Sequence, residues 1–311
     1  MKLEVKNIHK NFGEKEVLHG VTFSVESGKA LGLLGRNGAG KTTTIRILMD
    51  VFHANKGEVL MDGKPFVPSK YQIGYLPEER GLYPKRTVID QMIYLARLRG
   101  IKAKQARENA RKWLKRLEIP EYENRKLETL SKGNQQKVQL AATLVADPDI
   151  VILDEPFSGL DPVNSQILKE VVNELIADGK LVIFSSHQMS YVEEFCENIV
   201  IIHQGTVALE GNLRDIKHEY GQNRLILSAI GLTANELAEK LQKEFADLVQ
   251  IDKIQKDSVV LELLSGHTRK ELLNALAASA LEVELFGSYT PSLNDIFVAR
   301  VGEEGEVTDH E

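Results

Sequence analysis

The chain has 311 residues, 42% of them apolar, and a net charge of −6; the length favours two domains, and the mild acidity gives no global attraction to nucleic acid. A single cysteine, Cys196, leaves no partner for an internal disulfide and fits a reducing compartment. No apolar run reaches the ~18 residues of a membrane span, and the polar start Met1–Lys10 does not read as a signal peptide, so work at a membrane would need a span from another polypeptide.

Near the N-terminus, Asn11-Phe12-Gly13 reads as a strand end carrying an aromatic residue. The apolar run Ala30–Leu34 predicts a buried strand. It leads into Gly35-Arg36-Asn37-Gly38-Ala39-Gly40-Lys41-Thr42-Thr43, which fits G-x-x-x-x-G-K-[ST]. Thr43–Met49 can follow as a helix, completing a strand–loop–helix unit. Glycines let the loop curl its N–H groups toward phosphate oxygens, and the helix N-terminus adds partial positive charge. Lys41 would bridge the β- and γ-phosphates of a nucleotide, and the Thr42 hydroxyl would ligate Mg²⁺.

Ile73-Gly74-Tyr75-Leu76-Pro77-Glu78-Glu79-Arg80 comes next, and residues 97–116 then hold nine basic side chains against one acidic. The preferred reading of that run is a solvated helix face; a contact with anionic head groups is the second. Leu130-Ser131-Lys132-Gly133-Asn134-Gln135-Gln136-Lys137 predicts a helix start, with Ser131 as N-cap and Gly133 allowing close backbone approach. Ile150–Leu153 reads as a strand buried on both faces, with Asp154 and Glu155 at its carboxyl end. There Asp154 would hold Mg²⁺ through water and Glu155 would polarise an attacking water. Leu181–Ser185 and Ile199–His203 are further strands, and Tyr191–Glu197 a helix with Cys196 as a core thiol. Alternating strands and helices predict a parallel sheet covered on both faces.

Tyr220–Asn223 is a candidate linker. Residues 223–311 carry 8 Lys/Arg against 16 Asp/Glu, a net of −8 within the overall −6, which leaves +2 for residues 1–222. Strands are predicted at Leu225–Ile230, Leu248–Ile254, Val259–Leu264 and Glu282–Phe286, and helices at Thr233–Phe245 and Thr268–Ala278. Both helices open with a capping box, Thr233 with Glu236 and Thr268 with Glu271. The order β-α-β-β-α-β suggests a ferredoxin-like split unit. A last helix opened by Thr290-Pro291 carries Ile296, Phe297 and Val301 on one side, and 303–311 reads as a solvated acidic tail.

These motifs, in this order over roughly residues 2–215, resemble the ATP-binding subunit of an ABC transporter. The segment Leu130–Gln136 matches the family signature, Asp154-Glu155 the Walker B pair, Ser158-Gly159-Leu160-Asp161 the D-loop, and His187 the switch histidine. The resemblance implies an α/β P-loop NTPase over 1–220, with an antiparallel N-terminal β-region and a helical subdomain near 79–145. A C-terminal α+β ferredoxin-like accessory domain would follow over 223–302. It implies a head-to-tail dimer, of two copies or with a paralogue, that sandwiches each ATP. Ser131, Gly133 and Asn134 would bind that ATP in trans, beside Gly35–Thr43, with Phe12 stacking on adenine and Asp161 coupling the two sites. His187 would bond the γ-phosphate and the D-loop. Three positions depart from the usual pattern: Lys132 stands in place of Gly, Asn134 in place of Gln, and Glu78 in place of the Q-loop Gln. A carboxylate at 78 would join Thr42 and Asp154 at the metal, and its charge would respond to it. The resemblance further implies a separate multi-span permease, indirect membrane contact at the cytoplasmic face, and the drug-, antibiotic- and sodium-efflux group. The alternative is a non-transport ABC ATPase acting as a regulatory or ribosome-associated factor.

Overall fold

Two long strands open the chain, β1 (Lys2–Phe12) and β2 (Lys15–Glu26), joined by a tight turn and paired antiparallel. After β3 (Ala30–Leu34) come α1 (Lys41–Leu48), β4 (Lys56–Met61), β5 (Lys64–Pro65) and β6 (Ile73–Leu76). Three helices follow, α2 (Val88–Leu98), α3 (Ala103–Arg116) and α4 (Lys132–Leu144). Then β7 (Ile150–Asp154), α5 (Pro162–Ala177), β8 (Leu181–Ser185), α6 (Met189–Phe195), β9 (Asn198–His203) and β10 (Thr206–Asn212) alternate. The computed structural model describes residues 1–79 and 81–302; Arg80 and the predicted acidic tail lie outside the described residues.

The first sheet is antiparallel, in the order β2-β1-β4-β5. The second runs β10-β9-β3-β8-β7-β6, with β9, β3, β8, β7 and β6 parallel and β10 antiparallel at its edge. Every residue of β3, β7 and β8 is buried, as expected of central parallel strands covered on both sides. One apolar cluster joins the two sheets, with Val5, Leu18 and Phe23 from the first, Leu33, Ile152 and Ile183 from the second, and Ile45 from α1.

Helices α2, α3 and α4 pack on one another. On α3 the buried residues are Ala106, Ala110 and Leu114, one narrow stripe at four-residue spacing. The basic residues lie off that stripe: Arg111 makes a bidentate pair with Glu123, Arg116 bonds Glu170 and Glu174, and Lys104, Arg107, Lys112 and Lys115 are exposed. The solvated-face reading matches this distribution.

The chain divides into two compact units, built mainly of Met1–Leu213 and of Arg214–Ala299. In the second, α7 (Leu213–Tyr220) precedes β11 (Arg224–Ala229), α8 (Ala234–Glu244), β12 (Val249–Ile254), β13 (Val259–Leu263), α9 (Arg269–Ala278), β14 (Val283–Ser288) and α10 (Leu293–Val301). Its sheet runs β12-β13-β11-β14, all antiparallel, the order of a ferredoxin-like split unit. Leu225, Leu227 and Leu261 from the sheet meet Leu237 and Leu241 of α8 and Leu272 and Leu276 of α9 in one core. Both capping boxes form. The last helix starts later than its Pro signal predicts. Ser292 Oγ accepts the Asp295 N–H and Asp295 Oδ2 accepts the Ser292 N–H, each at 3.1 Å, so this pair sets the end and Pro291 lies outside.

Loss of one box should be measurable. Thr233→Ala should destabilise the second unit by about 1 kcal/mol, read as a lower denaturant midpoint, whereas Thr233→Ser should stay within a few tenths.

Candidate nucleotide site

The carboxyl ends of β3, β8 and β7 lie side by side, with Leu33 opposite Ser185 and Ser185 opposite Asp154. The loops that leave these three ends carry the predicted chemistry, as expected for a parallel α/β sheet. The Gly35–Gly40 loop is held tightly from outside. A Cβ at Gly40, where φ is +114°, would sit 2.5 Å from the Leu18 side chain of β2, and one at Gly35 would strike the Ile202 carbonyl of β9. The Gly205 N–H donates to the Ala39 carbonyl at 3.0 Å. Inside the curl, Lys41 Nζ donates to the Gly35 carbonyl at 2.5 Å and the Arg36 carbonyl at 3.2 Å. Helix α1 starts at Lys41, two residues before the predicted Thr43, so its N-terminus points into the loop. Thr42 is exposed there.

Asp154 and Glu155 are both buried. Burial raises the Asp154 carboxyl above its ordinary range; the Glu78 and Glu155 carboxylates push the same way, and the Lys41 ammonium opposes them. Burial lowers the Lys41 ammonium, against the pull of Asp154, Glu155 and Glu78. The Tyr75 hydroxyl lies 3.5 Å from Asp154 and is pushed up to about 12, first by burial and then by that carboxylate. Glu78 itself is exposed. Gln139 of α4 fastens its neighbours by donating to the carbonyls of Pro77 and Glu79.

Glu155 adopts a left-handed conformation, φ +48°, uncommon for a residue with a side chain. The turn swings its carboxylate toward the end of β8. There Oε1 accepts the His187 backbone N–H at 2.6 Å and His187 Nδ1 at 2.8 Å, while Oε2 accepts the Ser186 hydroxyl at 3.0 Å. The left-handed turn thus brings the Glu155 carboxylate to the His187 imidazole. Ser186 escapes sequence reasoning: its only signal is its place beside His187 at a strand end.

Among the described residues, no three His, Cys, Asp or Glu side chains gather in a way that could hold a metal alone. The donors near the loop are the Thr42 hydroxyl and the Asp154 carboxylate, with Glu78 close enough to shift both Asp154 and Lys41. A set so short of protein ligands, with crowded negative charge for a cation to relieve, fits Mg²⁺, which keeps waters and takes phosphate oxygens.

Ser131 is the N-cap of α4 and accepts the Asn134 N–H. Asp161 is the N-cap of α5 and accepts both the backbone N–H and the side-chain amide of Asn164, which hold its carboxyl below its ordinary range. A Cβ at Gly133 would meet that same Asn164 amide at 3.3 Å, so the two helix starts touch. Phe12 is 44% exposed at the end of β1, edge-on to Phe52 with ring centroids 5.1 Å apart. That exposure counts against a core role, and the Lys10 ammonium stands over the ring, 5.2 Å from its centroid. Cys196 is buried, and burial pushes its thiol up, which fits a core thiol.

The chain resembles known proteins along most of its length. Residues 18–158 match the ABC transporter family and residues 211–301 the C-terminal domain of DrrA1-3-like ATP-binding proteins. An uncharacterized ABC transporter ATP-binding protein of Bacillus subtilis (strain 168), YhaQ, is 39% identical over 301 residues, covering 96% of this chain and 98% of its own. The linearmycin resistance ATP-binding protein LnrL of the same organism is 29% identical, covering 96% and 98%. Among solved structures, the ATP-binding subunit of an ABC transporter is similar with a TM-score of 0.66 at 30% identity, over 78% of this chain and all of that one. The bacterial ABC transporter cassette MJ0796, in a dimeric post-hydrolysis state bound to ADP and Pi, gives 0.61 at 26%, over 68% and 99%.

Lys41 is wrapped by its own loop at the end of β3. Lys41→Ala should weaken nucleotide binding roughly 10- to 100-fold, the value of a lost charge-assisted hydrogen bond. Titration with a fluorescent nucleotide checks this, with thermal melting as the control for folding.

Proposed function

The chain belongs to the ATP-binding proteins of ABC transporters and is an ATPase, and from that premise we propose that it powers efflux through a separate membrane permease. One observation carries the efflux reading. LnrL, named for linearmycin resistance, matches the chain from end to end, including the unit similar to the DrrA1-3-like C-terminal domain. Among the described residues no helix is long and apolar enough to cross a membrane, so the path through the bilayer is assigned to the permease. The permease would hold the chain at the cytoplasmic face.

In the proposed cycle, two copies close head to tail on ATP, an arrangement supported by the likeness to a dimeric cassette. Gly35–Thr43 cradles the phosphates, Lys41 neutralises the β- and γ-oxygens, and Phe12 stacks on the adenine. Ser131, Gly133 and Asn134 approach the same nucleotide from the partner copy. Their exposed or half-exposed placement at the α4 N-terminus suits that role. Thr42 and Asp154, with Glu78 nearby, would hold Mg²⁺, which when bound offsets phosphate charge. Glu155 orients the attacking water, and His187 fixes Glu155. Asp161, at the start of α5 beside Gly133, couples the two sites.

Permease docking is proposed for a cavity of about 550 Å³ lined by Tyr83, Arg86, Asp90, Gln91 and Tyr94. Tyr83 and Tyr94 are exposed large rings. Gln91 is buried; its oxygen accepts the Tyr83 N–H, and its Nε2 has no partner among the described residues. An unmet buried donor favours an inserted acceptor. The ferredoxin-like unit is proposed to help two copies pair.

Glu155→Gln should slow hydrolysis at least ~100-fold while keeping ATP affinity, and should accumulate a dimer in gel filtration with MgATP. The same sizing on a chain ending at Gln222 tests the pairing role, which falls if dimerisation is unchanged. Tagged protein drawn from detergent-solubilised membranes should bring down a multi-span protein in stoichiometric amount. Tyr94→Asp should abolish that co-purification and leave the ATPase rate of the isolated subunit unchanged.

A further inference from the structure

Ser186 follows β8 and is buried, yet it carries a hydroxyl at a place where an apolar side chain would cost nothing in desolvation. Its oxygen accepts the Gln188 N–H at 3.0 Å and stands 3.0 Å from Glu155 Oε2. A serine has one proton, and with the amide already donating to the oxygen, that proton goes to the carboxylate. The other carboxylate oxygen is filled: Oε1 takes the His187 N–H and the His187 ring. An ionised carboxylate accepts only, so the ring must present its Nδ1–H, an assignment made from the bonding.

An ionised carboxylate has about four acceptor directions. Three are taken here, two on Oε1 and one on Oε2, so the open direction lies on Oε2. We propose that Ser186 is a positioning residue for ATP hydrolysis: its hydroxyl pins Glu155 Oε2 and leaves one acceptor direction on the carboxylate for the attacking water. The backbone makes this support necessary. Glu155 sits in a left-handed conformation that a side chain occupies only when its surroundings hold it. Its N–H bonds the Ser185 carbonyl at 2.9 Å, so the strand ends are tied once by backbone and again by Ser186 and His187. Without the hydroxyl, Oε2 can turn away while the His187 bonds still hold Oε1. The inference rests on Glu155 being the group that orients water.

Four variants test it. Ser186→Ala should lower kcat roughly 10- to 100-fold, with KM for ATP within about twofold, as expected for an interaction that matters after binding. Ser186→Thr, which keeps the hydroxyl, should stay near the wild-type kcat. In nucleotide-free protein, hydrogen exchange at the Gln188 amide should accelerate in Ser186→Ala and not in Ser186→Thr. In the Glu155→Gln background, Ser186→Ala should cause no further loss, because the group it positions is gone; a merely structural role would slow both backgrounds alike. If Ser186→Ala fails to bind nucleotide, Ser186→Cys, similar in size and a weak donor, takes its place with the same expectations. A Ser186→Ala enzyme at the wild-type kcat, beside a slow Glu155→Gln, overturns the role of Ser186 alone. A Glu155→Gln enzyme at the wild-type rate removes Glu155 from its role instead, and the inference with it.

Discussion

Lys41 lies partly buried among three carboxylates, Asp154, Glu155 and Glu78, at the ends of adjacent parallel strands. Two of those carboxylates are almost wholly removed from water. Buried charges are costly unless paired or hydrogen-bonded, and one ammonium does not neutralise three acids. The site is therefore built for additional positive charge and for phosphate in the same place. In the proposed site a bound phosphate would compete with the Gly35 and Arg36 carbonyls for Lys41, and a divalent cation would relieve the crowding at Asp154. A nucleotide with its metal would complete this charge arrangement, which is the physical reason for proposing that binding and chemistry share these strand ends.

Holding such a site demands rigidity from neighbours that carry no chemistry. Leu18 of β2 closes on Gly40, the Ile202 carbonyl on Gly35, and Gly205 bonds Ala39. Both sheets thus brace the phosphate loop, the antiparallel one through Leu18, and that sheet presents Phe12 at the end of β1. Gln139 of α4 fastens the segment around Glu78. Helix α4 is in this way tied to the segment that carries Glu78, whose carboxylate helps to raise Asp154. The charge on α3 follows a different logic: its buried stripe is narrow, part of its basic face is paired with Glu123, Glu170 and Glu174, and the rest meets solvent.

Local signals in this chain were strong wherever one short segment carried both the structure and its reason. The run Ala30–Leu34 is buried end to end, and the two capping boxes form between residues three apart. The ferredoxin-like order is legible because its short apolar runs alternate with helices whose starts are marked by capping boxes. The start of α10 is the exception. Pro291 suggests a beginning, but the reciprocal Ser292–Asp295 bonds place it at Leu293.

By itself the sequence determined the phosphate loop, the paired acids at the carboxyl end of β7, the helix caps and the alternation that makes a parallel sheet. Each is set by neighbours within a few residues, where backbone sterics and hydrogen bonding act directly. Only the tertiary structure decided that Glu155 turns left-handed toward His187, and that Ser186 holds its second oxygen. Those contacts join positions far apart in the chain, 31 residues in the case of Ser186 and Glu155. Strand register brings such residues together, and register depends on the whole sheet packing at once.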